Sequence, residues 1–257
     1  MSLDKKFEDL FLNVSIKAAL SSYHFVGKKD KIAADKSAVD AMRNKLNEIE
    51  MRGKVVIGEG ELDEAPMLYI GETLGTMSGP ELDIAVDPLE GTNFAANNQP
   101  GALSVIAVAE KSNLFSAPET YMNKISANVP SEGIIDLDYS VKKNISNLAD
   151  YKNKQPNELS ACILDRPRHK KIIEELRNLK VNLKLISDGD VSGALLVSDK
   201  KYDIDIFMGI GGGPEGVLAA SALDAFDCFF QGRFLSLIHI SEPTRPLYIS
   251  YAVFCLK

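Results

Sequence analysis

The chain has 257 residues, 45% of them hydrophobic and 25% charged, with a formal net charge of −7, which is enough for one large domain or two small ones. An acidic chain without a basic tract is poorly suited to nucleic acid or anionic membrane, and no apolar run approaches the ~20 residues of a membrane helix. Cys162, Cys228 and Cys255 lie far apart and histidines number three, so a disulfide framework or a cysteine or histidine metal site is not expected, and any bound metal must draw mostly on oxygen.

Apolar residues at helical spacing (Leu10, Val14, Ala18) predict an amphipathic helix over residues 7–25. Gly27-Lys-Lys-Asp-Lys31 is a polar break. A second helix is expected over 33–50, with Val39, Met42, Leu46 and Ile49 on one face and Gly53 ending it. Lys54-Val-Val-Ile-Gly-Glu59 reads as a buried strand running into an acidic loop, and 65–74 as a short helix with Pro66 in its first turn. Leu82-Asp-Ile-Ala-Val-Asp87 is a strand stopped by Pro88, and 103–109 another. Residues 110–158 are less regular, with a strand expected at 133–137 and a helix at 141–149. From Leu159 strands (160–164, 183–186, 202–208) alternate with helices (167–179, 191–197, 217–225). That alternation predicts an α/β fold of layered sheets and helices, with ligands in loops beyond the strand ends. The expected division is residues 1–158, then 159–234 as the start of a second α/β half.

Residues 235–257 break this pattern. They carry few charges, show neither clean period, and resemble the translation of a sequencing adapter. They are expected to be a non-native tail, with natural sequence ending near Arg233 or Phe234 and the C-terminal part of the fold truncated. A chain of this kind is expected to be poorly soluble.

Acidic residues recur just past strands or at helix ends: Asp35, Glu59 within Gly58-Glu-Gly-Glu-Leu-Asp63, Asp87 with Glu90, and Glu215. Clustered carboxylates are costly unless a cation neutralises them, and oxygen donors suit Mg²⁺ or Mn²⁺. Asp87, before a proline, is held extended. Gly91 permits close backbone approach, and Thr92 offers a hydroxyl at a helix start. One acidic loop residue alone is more often a solvated cap. Asp-Pro-Leu-Glu-Gly-Thr after an apolar strand, joined to Gly58-Glu-Gly-Glu, is far more specific. Two metal ions at such a site could bind phosphoryl oxygens and activate water for in-line attack. Arg166-Pro-Arg-His169 follows a strand and concentrates cations as a clamp for a second phosphate. Asp188-Gly-Asp190 offers acceptors for sugar hydroxyls, or is a tight turn capping the next helix. Gly209-Ile-Gly-Gly-Gly reads as a backbone-exposing loop that presents Glu215. His169 is read equally as a packing or capping residue or as a substrate contact.

These segments, with Gly27–Asp35 and Val56–Gly71, resemble the class II fructose-1,6-bisphosphatases of the lithium-sensitive, inositol-phosphatase-like superfamily, from the first helix to Arg233. The resemblance implies a layered sugar-phosphatase fold and manganese or magnesium ligands at Asp35, Glu59, Asp87, Glu90 and Glu215. It implies substrate contacts from Glu90, Gly91, Thr92, Tyr121, Arg166, Pro167, Arg168, Asp188, Gly189, Asp190 and Gly212. Thr92 would position water and the scissile phosphate, with Asp63 and Lys31 as further candidates for water activation and phosphate contact. The family pattern often has lysine where Arg166 stands, so contact geometry there differs.

The activity implied is hydrolysis of the 1-phosphate of fructose 1,6-bisphosphate in gluconeogenesis, by a cytoplasmic enzyme that forms a dimer or tetramer when full length. Sedoheptulose 1,7-bisphosphate is the alternative substrate. Readings from another class are a sugar-phosphate-binding regulatory protein or an inactive fragment.

Overall fold

The computed structural model describes residues 5–58, 68–130 and 133–235. They form two compact units, one ending at Ala117 and the other beginning at Pro118. The division therefore falls well before the change of pattern at Leu159, because a strand from the irregular stretch joins the second sheet.

The first unit opens with α1 (Lys6–Tyr23) and α2 (Lys31–Leu46). Asp30 caps α2 by accepting the Ala33 N–H at 3.0 Å. The helix stops at Leu46, so Gly53 does not end it but lies inside β1 (Arg52–Ile57). Next come β2 (Thr73–Leu74), β3 (Glu81–Glu90), α3 (Thr92–Ala96) and β4 (Leu103–Glu110). The described part of the helix expected at 65–74 is turn followed by β2. The sheet order is β2-β1-β3-β4, with β1 and β3 parallel and the other pairs antiparallel. On one face Ile84, Val86 and Leu89 pack with Val14 and Ala18 of α1 and Val39 and Met42 of α2.

Pro88 does not stop β3. Asp87 pairs with Val105 and Glu90 with Leu103, so three steps along β3 match two along β4. This is a β-bulge, where a residue lacking an N–H is tolerated.

The second unit contains β5 (Tyr121–Ala127), α4 (Val141–Lys152), β6 (Ser160–Leu164), a 3-10 turn (Pro167–His169), α5 (Lys170–Asn178), β7 (Asn182–Ile186), α6 (Asp190–Leu195), β8 (Ile206–Gly212), α7 (Gly213–Ala225) and β9 (Phe229–Leu235). The sheet runs β7-β6-β8-β5-β9. β6 is parallel to β7 and β8, while β5 is antiparallel to β8 and β9. Ile145, Leu148, Ile173 and Leu176 of α4 and α5 bury one face against Ile125, Ile163 and Ile206. On the other face Ser126 Oγ donates to Ala194 O of α6, and Gly216 of α7 lies against Met122 and Lys124.

The expected α/β layering is present, with corrections. The strand expected at 133–137 is turn and bend, and the strand of that stretch is β5. The strand expected at 202–208 is preceded by a 3-10 turn and starts at Ile206. The glycines at 209–212 are not a loop; they form the end of β8, which passes directly into α7. β9 was not expected. It carries Phe234 and Leu235 into register with Met122 and Tyr121; the remainder of the expected tail lies outside the described residues.

Leu148 is fully buried, whereas Leu12 on α1 is 57% exposed. Leu148→Ala should cost about 2–5 kcal/mol, and Leu12→Ala less than about 0.5 kcal/mol. Thermal melts of the two variants check this, the first falling by several degrees and the second matching the parent.

Candidate active site

In the first unit the bulge decides where the carboxylates of β3 point. Residues three apart on a regular strand face opposite sides. Here Asp87 and Glu90 stand opposite Val105 and Leu103, which are two apart, so both acids share one face. It is the face away from Ile84 and Val86 and their helices. Asp83 shares it too, but its carboxylate is engaged by the Leu114 N–H at 3.3 Å.

Glu90 is buried. Gly91 follows with φ +77°, and a Cβ there would come within 2.9 Å of Phe94 Cδ2, so only glycine fits. Its carbonyl accepts the Phe94 N–H at 2.9 Å and starts α3 at Thr92. The α1–α2 connection docks on this short helix, with Gly27 N donating to Ala95 O and Lys29 N to Ala96 O, both at 2.9 Å. That contact brings the start of α2, with exposed Lys31 and part-buried Asp35, beside α3. Asp35 Oδ1 is buried with no hydrogen-bond partner among the described residues. Burial raises its carboxyl above the usual carboxylate range. Glu59 and Asp63 lie outside the described residues.

In the second unit the expected substrate residues gather at the carboxyl ends of parallel strands, where open α/β sheets bind ligands. Arg166 follows β6, Asp188 and Gly189 follow β7, and Gly212 ends β8. Tyr121 opens antiparallel β5 and pairs with Gly212. Arg168 donates from Nε to Ile210 O at 2.8 Å, and its guanidinium carbon lies 5.2 Å from the centre of the Tyr121 ring. The ring is a cation–π platform for Arg168. Arg166 Nη2 and Asp188 Oδ1 are 3.9 Å apart and partly exposed, a weak pair open to competition.

Successive glycines make room for acids. A Cβ on Gly211 would overlap the Asp190 carboxylate, and one on Gly212 the Glu215 carboxylate. Glu215, in the first turn of α7, therefore folds back over the last residue of β8. Asp190 is nine-tenths buried and ion-paired with Lys124, itself 1% exposed.

His169 is a packing residue. It is fully buried, its Nδ1 lies 2.7 Å from Leu164 O, and its Nε2 accepts the Ile210 N–H at 2.8 Å. These partners define the neutral Nδ1–H tautomer and tie β6 to β8. Asp205 is likewise structural, accepting from Lys152 Nζ at 2.7 Å, Ser160 N at 2.9 Å and Lys154 Nζ.

The model of the family described as "Bacterial fructose-1,6-bisphosphatase, glpX-encoded" matches residues 6–243. The chain belongs to that family. A relative from Synechocystis sp. is 44% identical over 236 residues, covering 87% of this chain and 68% of its own. One from Prochlorococcus marinus is 46% identical over 222 residues, covering 86% and 67%. Both are named D-fructose 1,6-bisphosphatase class 2/sedoheptulose 1,7-bisphosphatase. Among solved structures, CysQ from Bacteroides thetaiotaomicron, an inositol monophosphatase family member, covers 79% of each chain at 18% identity and TM-score 0.42. An extragenic suppressor from Pyrococcus furiosus covers 76% of this chain and 71% of its own, at 13% identity and TM-score 0.41. Those likenesses are too distant to add to the assignment.

Family membership implies dependence on a divalent metal. The residues present fit one by chemistry: they are hard oxygen donors, and Asp35 keeps a buried oxygen without a partner. Among the described residues no three His, Cys, Asp or Glu side chains close on one point, with Glu59 outside that set.

Lys124 is the residue that sequence reasoning missed. It lies in Tyr121-Met-Asn-Lys-Ile-Ser-Ala127, where a period of two would have placed Met122, Lys124 and Ser126 on one buried face.

Burial first, and then the Arg168 charge, lower the His169 pKa, against the pull of its Leu164 hydrogen bond. Above about pH 6.5 folded and unfolded chains are both neutral here. Below it the unfolded chain gains a proton that the folded chain resists, so stability falls. Melting temperature should drop between pH 7 and 5, and His169→Gln, although less stable at pH 7, should show a shallower drop.

Proposed function

We propose that the chain hydrolyses the 1-phosphate of fructose 1,6-bisphosphate to fructose 6-phosphate and phosphate, as a step of gluconeogenesis, with Mn²⁺ or Mg²⁺. The observation that carries this is the second unit's strand-end cluster of Tyr121, Arg166, Arg168, Asp188, Asp190 and Gly212 in a member of this family. Cations beside carboxylates suit a ligand with phosphate at one end and hydroxyls along its length.

The roles divide accordingly. Arg166 and Arg168 hold the phosphate that does not react, with Pro167 fixing the turn between them. Arg168 is suited to this because Tyr121 and Ile210 O orient it from one side. Asp188 and Asp190 accept hydrogen bonds from sugar hydroxyls, and Gly189 and Gly212 let backbone approach. Glu90, Gly91 and Thr92 meet the reacting phosphate, with the Thr92 hydroxyl positioning the attacking water. Asp63 and Lys31 assist in water activation and phosphate contact. Asp35, Glu59, Asp87, Glu90 and Glu215 are the metal ligands. A bound divalent ion supplies charge neutralisation at the phosphoryl group and a lowered pKa for water.

Sedoheptulose 1,7-bisphosphate is a second substrate, favoured by the names of the relatives. Cytoplasmic residence and a homo-oligomeric assembly belong to the same proposal; buried, free Cys162 and Cys228 suit a reducing compartment.

Steady-state assays with Mn²⁺ test the activity: hydrolysis of either bisphosphate supports it, and hydrolysis of neither overturns it. Arg168→Ala should raise KM by about 10–100-fold with little change in kcat, the loss of a hydrogen bond to a charged group. Asp35→Asn relieves a buried carboxylate. It should raise the metal-free melting temperature and shrink the rise that Mn²⁺ produces.

A further inference from the structure

Lys124 is among the largest fully buried side chains of the described residues. A lysine is almost never buried without a partner, and this one has a single carboxylate, Asp190. The surroundings are built for the pair. Gly211 leaves space for the carboxylate, since a Cβ there would overlap it. Gly216 leaves space for the lysine stem, since a Cβ there would stand 3.1 Å from Lys124 Cε. The amine holds Asp190 Oδ2, while Oδ1 is buried and has no hydrogen-bond partner. Such an orphaned acceptor is destabilising, and a ligand hydroxyl would satisfy it.

Asp190 is also the first residue of α6, directly after Gly189 with φ +82°. Its anchoring therefore sets the turn that displays Asp188, the residue paired with Arg166.

We propose that Lys124 is a positioning residue for sugar recognition: it neutralises Asp190 and orients the carboxylate so that Oδ1 accepts a hydroxyl of the sugar phosphate. This rests on the reading of the strand-end cluster as a sugar-phosphate site. Lys124 acts through Asp190 and touches no phosphate, so its loss affects recognition of the sugar and spares that of the phosphate. A role confined to packing would weaken both alike.

The test is calorimetric binding, in Mn²⁺ buffer, of fructose 6-phosphate and of inorganic phosphate to the parent chain and to Lys124→Met. The expected result is at least about a tenfold loss for fructose 6-phosphate and less than about a threefold change for phosphate. Lys124→Met leaves a buried charge alone and could unfold. The double variant Lys124→Met/Asp190→Asn removes both charges, which buried pairs commonly tolerate, and should show the same selective loss. Equal weakening of both ligands, or no change in either, overturns the proposal. A parent chain that binds fructose 6-phosphate but fails to hydrolyse the bisphosphate sinks the phosphatase reading alone. One that binds no sugar phosphate sinks both.

Discussion

An extra residue in the central strand of the first unit is the constraint on which the site depends. Without the bulge at Pro88 and Leu89, Asp87 and Glu90 would project from opposite faces of β3, and one would be driven among the side chains under α1 and α2. With it, both acids share the face away from that core. Leu89 takes the inward place, 4% exposed. The proline is part of the device, since a bulge needs no N–H there. Acids brought together on a buried strand repel each other and lose water, a cost that a shared cation would offset. The start of α2, tied to α3 through Gly27 and Lys29, adds Asp35 at the same end of the unit.

The second unit solves a different problem. On the proposed function the second unit must hold cations in place for an anionic sugar phosphate, and flexible arginines lose entropy on binding. Arg168 is preorganised by the Tyr121 ring and by Ile210 O. The backbone it grips is in turn held by neutral His169, whose Nε2 accepts the Ile210 N–H. Glycines at 211, 212 and 216 have no turn to make. They lie flat so that Asp190, Glu215 and Lys124 can pack against backbone. Burial of charge is offset by pairing, as with Lys124 and Asp190, or by several donors, as with Asp205.

Much of this was legible in the residues. β6 and most helices followed from periodicity, and the carboxylate and arginine segments stood out by composition. What was hidden depended on partners distant in sequence. Pro88 reads as a strand stop until β4 supplies the register that accommodates it. The glycines of β8 read as a loop because glycine is a poor strand former alone, while here Asp190 and Glu215 supply the missing side chains. β5 lay within a stretch rich in Asn, Pro and Ser, and its central Lys124 masked an apolar pattern that only pairing with β8 and β9 reveals. His169 could not be assigned between packing and contact until Leu164 O and Ile210 N were seen on its two nitrogens.

The central claim is that the bulged Asp87–Glu90 pair serves a divalent cation. Its most direct test is Mn²⁺ affinity, read from the electron paramagnetic resonance of free Mn²⁺, for the parent chain and for Asp87→Asn and Glu90→Gln. Each substitution should weaken binding by at least about tenfold. Mn²⁺ affinity unchanged in both variants would contradict the account.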